Sequence, residues 1–126
     1  MGNIILEPGA RPNTSELNAV NWLHSTLGGD ITVLKRVDID NVKTPDLLWR
    51  GTYLEIKHVG GNIKTLDQQI RKGFHQTNRG TVLVDISTAA FIDDEAINTA
   101  IKRSWQTGGG CVIIIRDDKF IAYICR

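Results

Sequence analysis

Thr44-Pro45-Asp46-Leu47-Leu48-Trp49-Arg50-Gly51-Thr52-Tyr53-Leu54-Glu55-Ile56-Lys57 is the stretch whose reading decides the fold. Alternate residues of a strand share one face. In the run Thr52 to Val59, Leu54 and Ile56 therefore point toward a core, and Glu55 and Lys57 point the other way, side by side. Pro45 opens a shorter run, Asp46 to Trp49, and Arg50-Gly51 makes a turn. A chain folding back there brings Asp46 near Glu55. Two carboxylates and one ammonium then converge.

Working outward, Leu17, Val20, Leu23 and Leu27 recur at helical spacing within residues 14–28, and Gly28-Gly29 stops that helix. Ile31 to Val37 is rich in β-branched residues and reads as a strand, followed by a polar loop from Asp38 to Thr44. These strands form an antiparallel meander. Residues 65–78 form a second helix, with Thr65 as N-cap and Gly80 just past its end. Thr81 to Ile86 is nearly all apolar, as a strand buried on both faces should be. Residues 94–106 form a third helix, capped by Asp93, with Ile92 and Ile97 as a hydrophobic staple. Cys111 to Ile115 and Phe120 to Cys125 are the last strands, joined at Asp117-Asp118. The order is α-β-β-β-α-β-α-β-β, an α/β (α+β) chain with a mixed central sheet flanked by helices. Residues 1–13 read as an irregular lead-in and residues 14–126 as one domain.

The chain has 126 residues, 41% of them hydrophobic, and a net charge of +1, so a nucleic-acid partner needs a local basic patch rather than bulk charge. No apolar run reaches membrane-spanning length. Met1 to Asn13 lack a basic segment followed by an apolar run, which argues against a signal peptide. With a turn at Asp117-Asp118, Cys111 stands opposite residue 124, so Cys111 and Cys125 point to opposite faces. We therefore expect two reduced thiols. A one-residue change of register reverses that expectation.

The Asp46, Glu55 and Lys57 grouping suits phosphodiester hydrolysis. Hard divalent ions prefer oxygen ligands, and Mg²⁺ is commonly held by one or two carboxylates with waters and phosphate oxygens. Such an ion polarises a phosphoryl group and lowers the pKa of a bound water. A nearby lysine can orient that water or neutralise charge on the phosphate.

Pro45-Asp46, eight residues, then Glu55-Ile56-Lys57 resembles the PD-(D/E)XK nuclease signature, and the first six elements resemble that family's restriction-endonuclease-like α-β-β-β-α-β core, here with an added α-β-β. The resemblance covers roughly residues 14–90 and implies a metal-dependent endonuclease. It implies catalytic roles for Asp46, Glu55 and Lys57, assisted by Glu16 on the first helix, with Asp46 and Glu55 holding the metal. Mg is the first choice of ion, with Mn and Zn as alternatives.

A narrower likeness rests on the Glu-bearing helix, Val42-Lys43-Thr44-Pro45-Asp46-Leu47-Leu48, the Glu-Ile-Lys strand and Gln68-Gln69. It resembles the C-terminal toxin domains of bacterial contact-dependent growth inhibition systems. That likeness implies tRNA ahead of DNA as substrate, a cognate immunity protein as partner, and delivery as part of a larger toxin into a target bacterial cytoplasm. The alternatives are a DNA endonuclease using the same site and an inactive binding relative.

Other residues carry competing readings. Asn13-Thr14-Ser15-Glu16 matches a capping box, so Glu16 serves the helix, the site, or both. On the second helix Leu66, Ile70 and Phe74 form the apolar stripe, while Gln68, Lys72, His75 and Arg79 share another face flanked by Arg71. That face is either a wet surface or a track for the phosphate backbone, with Gln68, Arg71, Lys72 and His75 binding substrate. His24, His58 and His75 show no metal-ligand spacing. Lys102 and Arg103 suit the third helix's dipole, and Trp22, Trp49 and Trp105 read as packing residues, with Trp49, closest to Asp46, the one to test as a base-stacking platform.

Overall fold

A computed structural model describes residues 2–36, 44–60, 66–88, 94–106, 108–117 and 119–126. Val37, the loop from Asp38 to Lys43, the Thr65 cap, the Ile92 and Asp93 staple and cap, and Asp118 lie outside the described residues.

The described elements run β1 (Ile4–Leu6), α1 (Thr14–Thr26), β2 (Ile31–Val33), β3 (Leu47–Trp49), β4 (Thr52–His58), α2 (Leu66–Thr77), β5 (Thr81–Asp85), α3 (Asp94–Ser104), β6 (Cys111–Arg116) and β7 (Lys119–Cys125). The order expected from sequence is present, with β1 added inside the lead-in. Ile4-Ile5-Leu6 is exposed and pairs parallel with β2 along one sheet edge. Three exposed apolar residues carry no alternation, which is why the pattern did not announce a strand.

The seven strands form one sheet in sequence order. β2, β3 and β4 are the antiparallel meander; β4, β5 and β6 are parallel; β7 returns antiparallel on β6. Each parallel step is bridged by a helix, as βαβ geometry requires. Ala19, Val20, Trp22 and Leu23 of α1 pack on one face of the sheet with Leu47, Leu54, Ile56, Leu83 and Ile113. Leu66, Ile70 and Phe74 of α2 and Ile97 and Ile101 of α3 pack on the other, against Val82, Val84, Val112 and Ile114. The β5 residues are thus apolar on both faces because both are covered.

Local chemistry sets the element ends. The Asn13 side chain accepts the Glu16 amide at 2.8 Å and starts α1. The Leu27 and Gly28 amides close on the Leu23 carbonyl, and Gly28, at φ +70°, takes the left-handed position that ends the helix. Arg50 and Gly51 have φ of 51° and 77°, the two left-handed residues of a tight hairpin. Arg50 is held there by its guanidinium, which bonds the Leu27 carbonyl and stacks 4.6 Å over the Trp49 ring.

The cysteine expectation is corrected. Ile115 pairs with Phe120 and Arg116 with Lys119, the register that a two-residue turn gives. A bulge between Ile114 and Ile115 then shifts the ladder by one, so Cys111 faces Cys125 with Cα atoms 4.0 Å apart. Their sulfurs form a disulfide, and neither thiol is free.

Candidate metal centre and nucleic-acid face

The β3–β4 hairpin places the acids. Leu47 pairs with Leu54, so extending the ladder by one step sets Asp46 opposite Glu55. Glu55 and Lys57 are level with Val82 and Val84, which pack under α2 and α3, so both project on the α2 side of the sheet. Leu54 and Ile56 anchor the strand from the opposite face. The alternation read from the sequence is therefore the observed one.

The carboxylates are interlocked with the backbone. Glu55 Oε1 accepts the Asp46 amide at 3.2 Å, and Asp46 Oδ2 accepts the Ile56 amide at 2.9 Å. Both residues are buried, at 7% exposure for Asp46 and 5% for Glu55. The Lys57 ammonium stands 3.1 Å from Glu55 Oε2. Burial, and then the facing Asp46 carboxylate, push the Glu55 pKa from 4.5 up to about 7, while Lys57 pulls it back. Two acids crowded in a dry site form an arrangement that a cation relieves.

Glu16 comes from the first turn of α1, and the structure reaches it through a residue that the sequence did not mark. Arg36 Nη2 lies 2.9 Å from Glu16 Oε1 and 3.6 Å from Asp46 Oδ1. The capping half of Glu16 is its backbone amide on Asn13; its carboxylate is turned to Arg36. Among the described residues no three His, Cys, Asp or Glu side chains stand close enough to hold one ion together. Asp46 and Glu55 are two oxygen donors that could hold a divalent ion such as Mg²⁺, which is commonly bound by one or two carboxylates with waters and phosphate oxygens. Arg36 lies three residues past the end of β2, and no spacing rule ties it to Glu16 20 residues earlier.

Around this centre, His58 Nδ1 stands 3.7 Å from Asp85 Oδ2, and Asp85 also accepts the Ser87 amide and hydroxyl. His58 is thus directed to the end of β5. Trp49 is 2% exposed and donates its ring N–H to the Gly28 carbonyl at 2.9 Å, so it packs the core and offers no face to a base.

On α2, Gln68, Lys72 and His75 are exposed, and Arg71 pairs with Asp67 at 3.3 Å. The helix joins two parallel strands, so it starts near the end of β4 and descends toward the start of β5. Gln68 is on its first turn. Arg71 and His75 lie lower and line a separate cleft with Phe74, Asn78, Arg79 and Ser104. The face read as one track is therefore divided between the two ends of the helix.

No protein-family model matches the chain, and no curated protein matches it. Among solved structures, one chain of the CdiA-CT/CdiI toxin and immunity complex from Burkholderia pseudomallei superposes with a TM-score of 0.63 at 18% identity, covering 100% of each chain. At that identity the likeness is one of fold. It supports the mixed α+β architecture over the whole length.

Proposed function

We propose that this chain is a divalent-metal-dependent endonuclease of the PD-(D/E)XK type, a toxin domain of contact-dependent growth inhibition whose substrate is tRNA. The observation that carries the reading is Asp46 opposite Glu55, both buried, with the Lys57 ammonium 3.1 Å from Glu55. The structural neighbour belongs to a toxin and immunity complex, and the acid pair with its lysine favours the toxin member of such a pair. On this reading the partner is a cognate immunity protein and the place of action a neighbouring bacterial cell. No described helix is long and apolar enough to cross a membrane.

Asp46 and Glu55 would hold the ion, Mg²⁺ first and Mn²⁺ or Zn²⁺ as substitutes. When bound, the ion supplies Lewis-acid polarisation of the phosphoryl group and activation of water. Lys57 orients the attacking water and offsets charge growing on the phosphate. Arg36 and Glu16 set the position of Asp46 from the α1 side. Gln68, Arg71, Lys72 and His75 bind the substrate backbone.

The test is cleavage of total tRNA and of plasmid DNA, with Mg²⁺ and with chelator, by the wild-type chain and Glu55→Gln. We expect metal-dependent tRNA cleavage that the variant loses by at least about 100-fold, the scale of losing one charge-stabilising group. Cleavage of DNA alone would move the substrate assignment. No cleavage of either, or cleavage indifferent to Glu55→Gln, would overturn the enzyme.

A further inference from the structure

The cleft at the C-terminal ends of α2 and α3 is separate from the acid pair. It has a volume of about 220 Å³ and is lined by Arg71, Phe74, His75, Asn78, Arg79 and Ser104. Two guanidinium groups, an imidazole and an amide line it, with no carboxylate among its described lining residues. The Arg71 guanidinium meets Asp67 at 3.3 Å across one helical turn and donates to the Arg103 carbonyl at 3.3 Å, and the ion pair is partly exposed. Such surface pairs hold by well under about 1 kcal/mol, so a phosphate can compete for the guanidinium. Phe74, 3% exposed, supplies an apolar wall. The volume is several times the ~30 Å³ of one water, enough for a phosphodiester with part of its sugar.

Helix ends attract basic residues on their own, and the dipole accounts for His75 in the last turn of α2. It does not account for Arg71, a turn earlier. Nor does it account for Arg79, beyond the helix at φ 62°, where glycine would sit without strain. The Arg79 guanidinium lies against Gly108, close enough that a Cβ there would strike it. Gly108 thus leaves room for an arginine at the mouth of the cleft.

We propose that this cleft is an exosite for backbone phosphates of the nucleic acid whose scissile bond lies at Asp46 and Glu55. The inference rests on the nuclease reading. At 1.5 Å per residue, the α2 residues of the cleft lie about 8 Å (Arg71) to about 14 Å (His75) along the helix from Leu66. A mononucleotide has a single phosphate and cannot occupy the acid pair and the cleft at once. A folded RNA or a duplex can.

The experiment measures fluorescence anisotropy of labelled tRNA, a 20-base-pair DNA duplex and a mononucleotide on Glu55→Gln protein over a salt series. Arg71→Gln/Arg79→Gln weakens tRNA binding by about 10-fold or more and flattens the plot of log K against log salt by about 2, one for each lost phosphate contact. Arg79→Lys, which keeps the charge, stays near the parent. Mononucleotide binding does not change. Unchanged tRNA affinity and salt slope in the double variant would overturn the exosite, as would equal loss for the mononucleotide. A larger loss on the duplex than on tRNA would assign the site to DNA. If the wild-type chain cuts nothing while the double variant still loses tRNA, the nuclease reading fails and the exosite stands.

Discussion

Asp46 and Glu55 face each other across the β3–β4 hairpin, each carboxylate tied to the other's strand: Glu55 Oε1 to the Asp46 amide at 3.2 Å, Asp46 Oδ2 to the Ile56 amide at 2.9 Å. These bonds fix both side chains before any ligand arrives. They also hold two acids together away from water, which disfavours ionising both.

That cost is legible in pH. Glu55 has a folded pKa of about 7 against 4.5 unfolded. The native state binds the extra proton between those values, so without metal this group's contribution is complete below pH 4.5 and is lost as pH rises through 7. The loss is on the order of 3 kcal/mol. Denaturant unfolding in chelator at pH 5 and pH 8 measures it, and Glu55→Gln flattens the difference. Divalent-ion affinity runs the other way, rising over the same window because binding releases the proton. A slope that Glu55→Gln leaves intact would assign it to other groups.

If Glu16 and Asp46 serve a metal site as proposed, Arg36 would compete with the cation for them. Its side chain is 66% exposed, yet it reaches both Glu16 and Asp46. We expect Arg36→Ala to bind Mn²⁺ more tightly, by about 3- to 10-fold, because a competing charge worth about 0.5–1.5 kcal/mol is gone. Calorimetric titration checks this. Weaker binding would mean that Arg36 orders the site more than it repels the ion.

The disulfide links residues 14 apart in sequence. Closing a loop of that size limits the unfolded chain by about 3 kcal/mol. Reduction, or Cys111→Ser with Cys125→Ser, should lower stability by about 2–3 kcal/mol and leave metal affinity unchanged, because β7 meets the β3–β4 hairpin through Tyr123 on Trp49, centroids 6.1 Å apart, on the sheet face opposite Glu55. A parallel loss of metal binding would show that the C-terminal hairpin supports the centre.

Gly73 sits in the middle of α2 with no room for a methyl group: a Cβ would stand 2.5 Å from Val82 Cγ2. Val82 is stiff and fully buried. Gly73→Ala should therefore destabilise by about 1–3 kcal/mol despite its better helix propensity. A stabilised variant in thermal unfolding would show that α2 can lift off β5.

The β3–β4 hairpin was legible because two periodic signals agreed there: alternation in Thr52 to His58 and a left-handed turn pair at Arg50-Gly51. The faces of Glu55 and Lys57 followed. The bulge at Ile114 and Ile115 was not legible, because the apolar run carries no mark of where a ladder slips, and the disulfide was lost with it. β1 was hidden because an exposed apolar triplet has no period. Arg36 was missed because its partners, Glu16 and Asp46, come from two different elements. The α2 face was read as one surface because a helical wheel shows direction around the axis and not position along it, which is what separates Gln68 from the cleft at His75.

The central claim is that Asp46 and Glu55 grip one divalent cation between them. Crystals of the wild-type chain soaked in Mn²⁺, with anomalous scattering recorded, test it most directly. The account requires one strong peak between the two carboxylates, within about 2.0–2.4 Å of an oxygen from each, and none in Glu55→Gln. No peak there, or a peak bound to other residues while that pair stays empty, would contradict it.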